Sequence, residues 1–163
     1  MKKSLSALAV AGALLVSGCA TAQAQHDDNR IHLRHFLSAY SVQDMEKVTD
    51  FYVNVLDFEV VRDVPLPNGR HFRWLRNGTQ GLELVQIDTA VAGPDRTPPA
   101  HLDTRGPAQL LMEVDDIEAT KAKLVARGVT LLTDVTEVPV LGAKVMLFAD
   151  PEGNPLEIVE VIE

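Results

Sequence analysis

The chain has a single cysteine, Cys19, among its 163 residues. One thiol cannot close an internal disulfide, so no disulfide framework holds the fold together. Basic charge is also scarce, with 15 Lys and Arg against 23 Asp and Glu and a net charge of −8. Phosphate binding needs clustered Lys and Arg, so this balance argues against nucleic acid as a partner. Long blocks of like charge are missing too, which argues against a charged interaction tail. There is no Ser-His-Asp set, no phosphate-cradling glycine loop and no basic–aromatic array. What remains is an ordinary mixture, 46% hydrophobic and 23% charged, long enough for one globular domain with a real core.

The first residues stand apart. Lys2 and Lys3 precede an apolar run from Leu5 to Val16 that only Ser6 and Gly12 interrupt. A helix needs about 20 apolar residues to span a bilayer, so this run is too short for a retained anchor and reads as an export signal. Two cleavage sites compete. Val16-Ser17-Gly18-Cys19 resembles a lipobox, which places diacylglycerol on the cysteine, whereas Ala22-Gln23-Ala24 suits ordinary secretory cleavage. The lipobox is favoured, because the chain's one cysteine follows the apolar run directly. The expectation is a signal peptide over 1–18 and a lipid on Cys19, with residues 19–30 as a small, polar tether. The protein would then be membrane-anchored and facing the periplasm, at the outer membrane since Ala20 rather than Asp follows the cysteine. A soluble periplasmic protein is the alternative.

From Ile31 onward the chain repeats itself. Module one (31–91) reads as a strand over 35–42, a helix over 44–56 and strands over 58–64, 71–76 and 81–87. Val48, Phe51, Tyr52, Val55 and Leu56 form one apolar stripe on the helix, which Asp44 caps. A linker over 92–107 is rich in Pro, Gly and Thr. Module two (108–163) repeats the order with strands over 109–114, 130–135, 144–149 and 155–161. Its helix starts at Asp115 or Asp116, where Asp115-x-x-Glu118 fits a capping box, and Gly128 suits the stop. Laid over one another, Asp44 meets Asp115, Leu82-Glu83 meets Leu156-Glu157, and Phe72 and Trp74 fall on Met146 and Phe148.

Three stretches, Val42–Lys47 running into Phe51–Leu56, Glu113–Ile117 and Asp150–Glu157, resemble the vicinal oxygen chelate superfamily. That superfamily includes glyoxalase I, extradiol dioxygenases and bleomycin-resistance proteins. The resemblance implies an α+β fold in which tandem βαβββ modules form a curved mixed sheet around one cavity, and often a homodimer. In metal-dependent members, the first and last strands of each module supply His, Gln or Glu to a divalent metal. The metal stabilises an enediolate or related anion of the substrate.

Carried over position by position, the last strands offer Glu83 and Glu157, each flanked by aliphatic residues. The first strands offer Leu37, which cannot ligate a metal, and Gln109, a weak amide donor. His35 lies on the same strand face as Leu37, but a two-residue offset moves it by about 6.6 Å. In His71-Phe72-Arg73-Trp74 polar and aromatic residues alternate. Either Arg73 points into the cavity toward an anionic group of a ligand, or His71 and Arg73 face solvent and Phe72 and Trp74 fill the core. The expected ligand cavity therefore comprises His35, Leu37, Arg73, Glu83, Gln109 and Glu157. Two functions survive. One is an exported small-molecule-binding protein with no metal or only a weakly bound one, which the Leu37 position favours. The other is a metal-dependent glyoxalase-, lyase- or dioxygenase-like enzyme using Glu83, Gln109 and Glu157.

Overall fold

The computed structural model describes residues 31, 37–103 and 105–162. The export signal, Cys19, the tether and His35 lie outside the described residues. Module one runs β1 (Leu37–Val42), α1 (Met45–Leu56), β2 (Glu59–Leu66), β3 (Arg70–Asn77) and β4 (Gln80–Ile87). Module two runs β5 (Leu110–Glu113), α2 (Ile117–Ala126), β6 (Leu131–Val138), β7 (Ala143–Ala149) and β8 (Pro155–Val161). The strands form two four-stranded sheets, ordered β1-β4-β3-β2 and β5-β8-β7-β6. In each sheet the first and last strands of the module pair in parallel and the others antiparallel. A parallel pair needs a long connection, and in each module it runs through the helix and the two middle strands.

Local chemistry explains most element boundaries. Pro65 lies inside β2 rather than in the following turn, because β2 is an edge strand where a missing N–H costs little. The turn comes later, with Gly69 at φ 73°, a backbone conformation that glycine adopts without strain. Asp44 caps α1 by accepting from the Lys47 N–H at 3.0 Å, and Asp116 caps α2 by accepting from Ala119 at 2.8 Å. The cap is therefore Asp116, so Asp44 corresponds to Asp116 and not to Asp115. Counted from these caps, Leu37 and Gln109 are equivalent positions.

One apolar cluster joins the modules. Val48, Tyr52, Leu75, Leu82 and Leu84 of module one and Ile117, Met146, Phe148, Leu156 and Ile158 of module two are all buried in it. Tyr52 packs edge-on against Phe51 and Phe58, and Phe51 meets Phe148 of module two at 6.4 Å between ring centres.

Module two also holds both ends of α1 with charges opposite in sign to the helix dipole. The Glu152 carboxylate accepts from the backbone N–H groups of Gln43 and Asp44 at 2.7 and 2.8 Å, at the positive end of the helix dipole. At the negative end the Arg127 guanidinium donates to the Val55 carbonyl at 2.6 Å and to the Asp57 carboxylate at 2.9 Å. The Asp44 N–H and the Val55 carbonyl are helix-end groups left without an intrahelical partner, and these contacts satisfy them. Together they set how the two modules sit.

Candidate ligand-binding site

Strand alternation gives each sheet two faces, and the helix covers one of them. In module one the covered face carries Arg73, Leu75, Leu82 and Leu84, all buried. The opposite face carries Phe72, Trp74 and Glu83, which remain half-buried. Register places Arg62 across from Trp74, Val64 across from Phe72 and Trp74 across from Glu83. These five residues line a pocket of about 220 Å³. Within it the Trp74 indole N–H donates to Glu83 Oε1 at 2.7 Å. The Arg62 guanidinium lies over the same indole, 5.1 Å from the ring centre. Leu37 belongs to this face as well, because its strand neighbour Ala39 pairs with Glu83.

Arg73 does not belong to it. Its side chain turns under α1, where Nε donates to Asp63 at 2.9 Å and the two terminal nitrogens reach Glu46 at 3.0 and 2.8 Å and Thr49 at 2.9 Å. With two carboxylates and a hydroxyl around it, the guanidinium has no donor left for a ligand. The hydrogen bonds to Arg73 hold the Glu46 and Asp63 carboxyls below the usual carboxylate range, and the same bonds raise Arg73. His71 shares this face and meets Asp63 at 2.6 Å. Both sequence-based expectations for this strand are corrected. Arg73 is buried under α1, His71 is half-buried beside it, neither lines the pocket of Phe72 and Trp74, and Phe72 and Trp74 are not in the core.

The cause is a register difference. Trp74 pairs with Glu83 and Leu147 pairs with Glu157, so Trp74 corresponds to Leu147 and Arg73 to the buried Met146. Matching Phe72 and Trp74 to Met146 and Phe148 was one residue out, and a one-residue slip exchanges the faces of a strand.

In module two Glu157 lies on the face away from α2, beside Leu111 and Leu147. The Gln109 amide N–H donates to it, while the amide oxygen is buried without a partner among the described residues. Glu83 and Glu157 are thus each engaged by an N–H donor of their own module. A divalent metal of the family's type needs three or four converging N and O donors. Among the described residues no three His, Cys, Asp or Glu side chains converge, and Leu37 offers no donor. Within one chain the described residues therefore do not present the four-donor set of such a metal, and Leu37 is the position at which it breaks.

A second, wider space of about 1370 Å³ lies between the linker, the start of α1 and the turn over 151–154. Its walls are mixed in charge, and the Glu152 and Asp44 carboxylates there already cap α1. The linker's His101, which carried no pattern in the sequence, is buried beside it.

The sequence profile of the Glyoxalase/Bleomycin resistance protein/Dioxygenase superfamily matches residues 32–158. The chain belongs to this superfamily. Among solved structures it is similar to SMU.1112c, at 31% identity with a TM-score of 0.66, over 80% of this chain and 100% of that one. It is also similar to a glyoxalase family protein from Enterococcus faecalis, at 29% identity and a TM-score of 0.65, over 79% and 97% of the two chains. A third relative is TnmS3, an antibiotic binding protein from Streptomyces sp. CB03234, at 25% identity and a TM-score of 0.59, over 81% and 99%. No curated protein matches the chain.

Arg62 and the Trp74–Glu83 bond escaped the sequence reading. The signal was present in β2, where Arg62 and Val64 alternate in phase with Trp74 and Phe72, but it needed the cross-strand register to be used.

Proposed function

We propose that this superfamily member is an exported binding protein for a small molecule, held on the Phe72–Trp74–Glu83 face without a catalytic metal. The observation that carries the reading is the Trp74 N–H donated to Glu83. It turns a position that would ligate a metal in the family's enzymes into the fixed acceptor of an aromatic floor. A protein described as antibiotic-binding, TnmS3, shares the fold at 25% identity and supports binding rather than turnover.

Small-molecule pockets usually run from about 300 to 1,000 Å³, so a pocket of about 220 Å³ lined by module one alone is half a site. We read the other half as the Gln109–Glu157 face of a second copy, in a C₂ homodimer that makes two equal sites. Sedimentation at tens of micromolar should return the dimer mass, and a monomer throughout would count against the pairing. Metal analysis tests the function. The wild type should purify without stoichiometric metal and bind Ni or Zn weakly, while Leu37→His, which adds an imidazole nitrogen to the donor set, should gain at least about tenfold in affinity, the change that each 1.4 kcal/mol brings. Stoichiometric metal that Glu83→Gln and Glu157→Gln release would replace this reading with the enzyme.

Export rests on the apolar run and lipobox, and places the binding face outside the cytoplasmic membrane. The intact mass of the membrane fraction should show diacylglycerol on the product beginning at Cys19, lost in Cys19→Ala. An unlipidated product beginning at Gln25 would make the protein soluble and periplasmic instead.

A further inference from the structure

We propose that the ligand is a flat organic cation, a protonated or quaternary aromatic amine, and that Arg62 occupies its place in the free protein. This rests on the Phe72–Trp74–Glu83 face being the ligand site and goes on to name the chemistry that face selects. Three features point the same way. The Trp74 face already holds a cation, the Arg62 guanidinium at 5.1 Å from the ring centre. The π-cloud presents negative charge there, and among the described residues Arg62 makes no ion pair that would hold it elsewhere. The side chain is exposed and long, so it can swing away.

The second feature is the counter-charge. Glu83 Oε1 takes the Trp74 N–H, while no donor among the described residues reaches Oε2. A half-buried carboxylate attracts a cation more strongly than one in bulk water, and an anionic ligand here would be repelled. Arg62 satisfies the ring without bonding to the carboxylate. A ligand cation that does both has the advantage over it.

The third feature is shape. Phe72 and Trp74 stand two residues apart on β3, about 6.6 Å along the strand, a spacing that a pair of fused rings spans. Val64 closes the apolar side of the floor. The chain's net charge of −8 adds a long-range pull toward cations.

The chain has one tryptophan, so a single indole N–H resonance reports on the site directly. We would titrate the labelled protein at pH 8 with N-methylquinolinium, with quinoline as the neutral isostere and with 1-naphthoate as the anion. The expected result is that the cation shifts the indole signal and binds at least about tenfold more tightly than quinoline, with naphthoate weakest. Glu83→Gln should remove most of that margin, and Arg62→Ala should tighten the cation by removing its competitor. Equal binding of cation and neutral isostere would overturn the inference while leaving the site in place. So would preference for naphthoate that Arg62→Ala abolishes, since Arg62 would then be the recognition group. If none of the three moves the indole signal, the binding face itself is misassigned and the inference falls with it.

Discussion

Phe148→Ala is expected to lower stability by about 3–5 kcal/mol and to melt both modules in one transition. Phe148 is fully buried at the boundary, with Phe51 of module one 6.4 Å away across it. Truncation there removes the transfer energy of the ring and leaves a cavity that a close-packed core cannot fully close. A domain of this size has only about 5–15 kcal/mol in hand, so the loss should bring it close to unfolding at physiological temperature. Urea denaturation followed by far-ultraviolet circular dichroism and by Trp74 fluorescence separates the two claims. The dichroism reports on the whole fold, whereas Trp74 reports on module one alone. Coincident curves, both shifted to lower urea, are the expected outcome. A Trp74 curve that kept its wild-type midpoint would show that the modules fold independently and that the shared core and the two clamps on α1 do not couple them.

The second large effect concerns Arg73. Arg73→Ala should cost about 2–3 kcal/mol, less than the 3–5 kcal/mol typical of a broken buried pair. The reduction follows from the partners, since the side chains of Glu46 and Asp63 are 72% and 42% exposed and water screens their charges. The rest of the loss is the stem of Arg73 packed under α1 and the buried Thr49 hydroxyl left without its donor. Arg73→Met imitates the module-two core, where Met146 holds the equivalent place, and should cost less.

The same pair predicts a pH dependence. Glu46 and Asp63 have folded-state values depressed by Arg73. Their contribution is therefore full above the unfolded carboxylate range near 4 and is lost as pH falls through the depressed values. Stability measured from about pH 6 down to about pH 3 should fall for the wild type and fall less steeply for Arg73→Met. Parallel slopes for the two proteins would mean that acid sensitivity comes from other carboxylates.

The order of elements was legible from residues alone because its causes are local. An Asp cap, an apolar stripe at helical spacing and turn residues between alternating runs act over a few positions, so α1 and α2 and the strands fell close to where they were read. The duplication was legible for the same reason, as was the superfamily through its motifs. Local causes also put Leu37, Glu83 and Glu157 on one face of their strands, since alternation needs only the strand.

Which face a helix would cover was decided by tertiary structure. Alternation in His71-Phe72-Arg73-Trp74 specifies two faces without saying which is buried, and propensity argues for burying the aromatics. Arg73 is buried instead because Glu46, on a helix 27 residues earlier in the chain, and Asp63 on the neighbouring strand compensate its charge. Partners so placed exist only once α1 lies on the sheet. The grip of Glu152 on the start of α1 spans 109 residues and leaves no trace in the local sequence. Local rules thus set the elements and the face on which each side chain lies. Burying Leu75, Leu82 and Leu84 against α1 set which face was covered, and Glu46, Asp63 and Thr49 compensate the one guanidinium that this face carries with them.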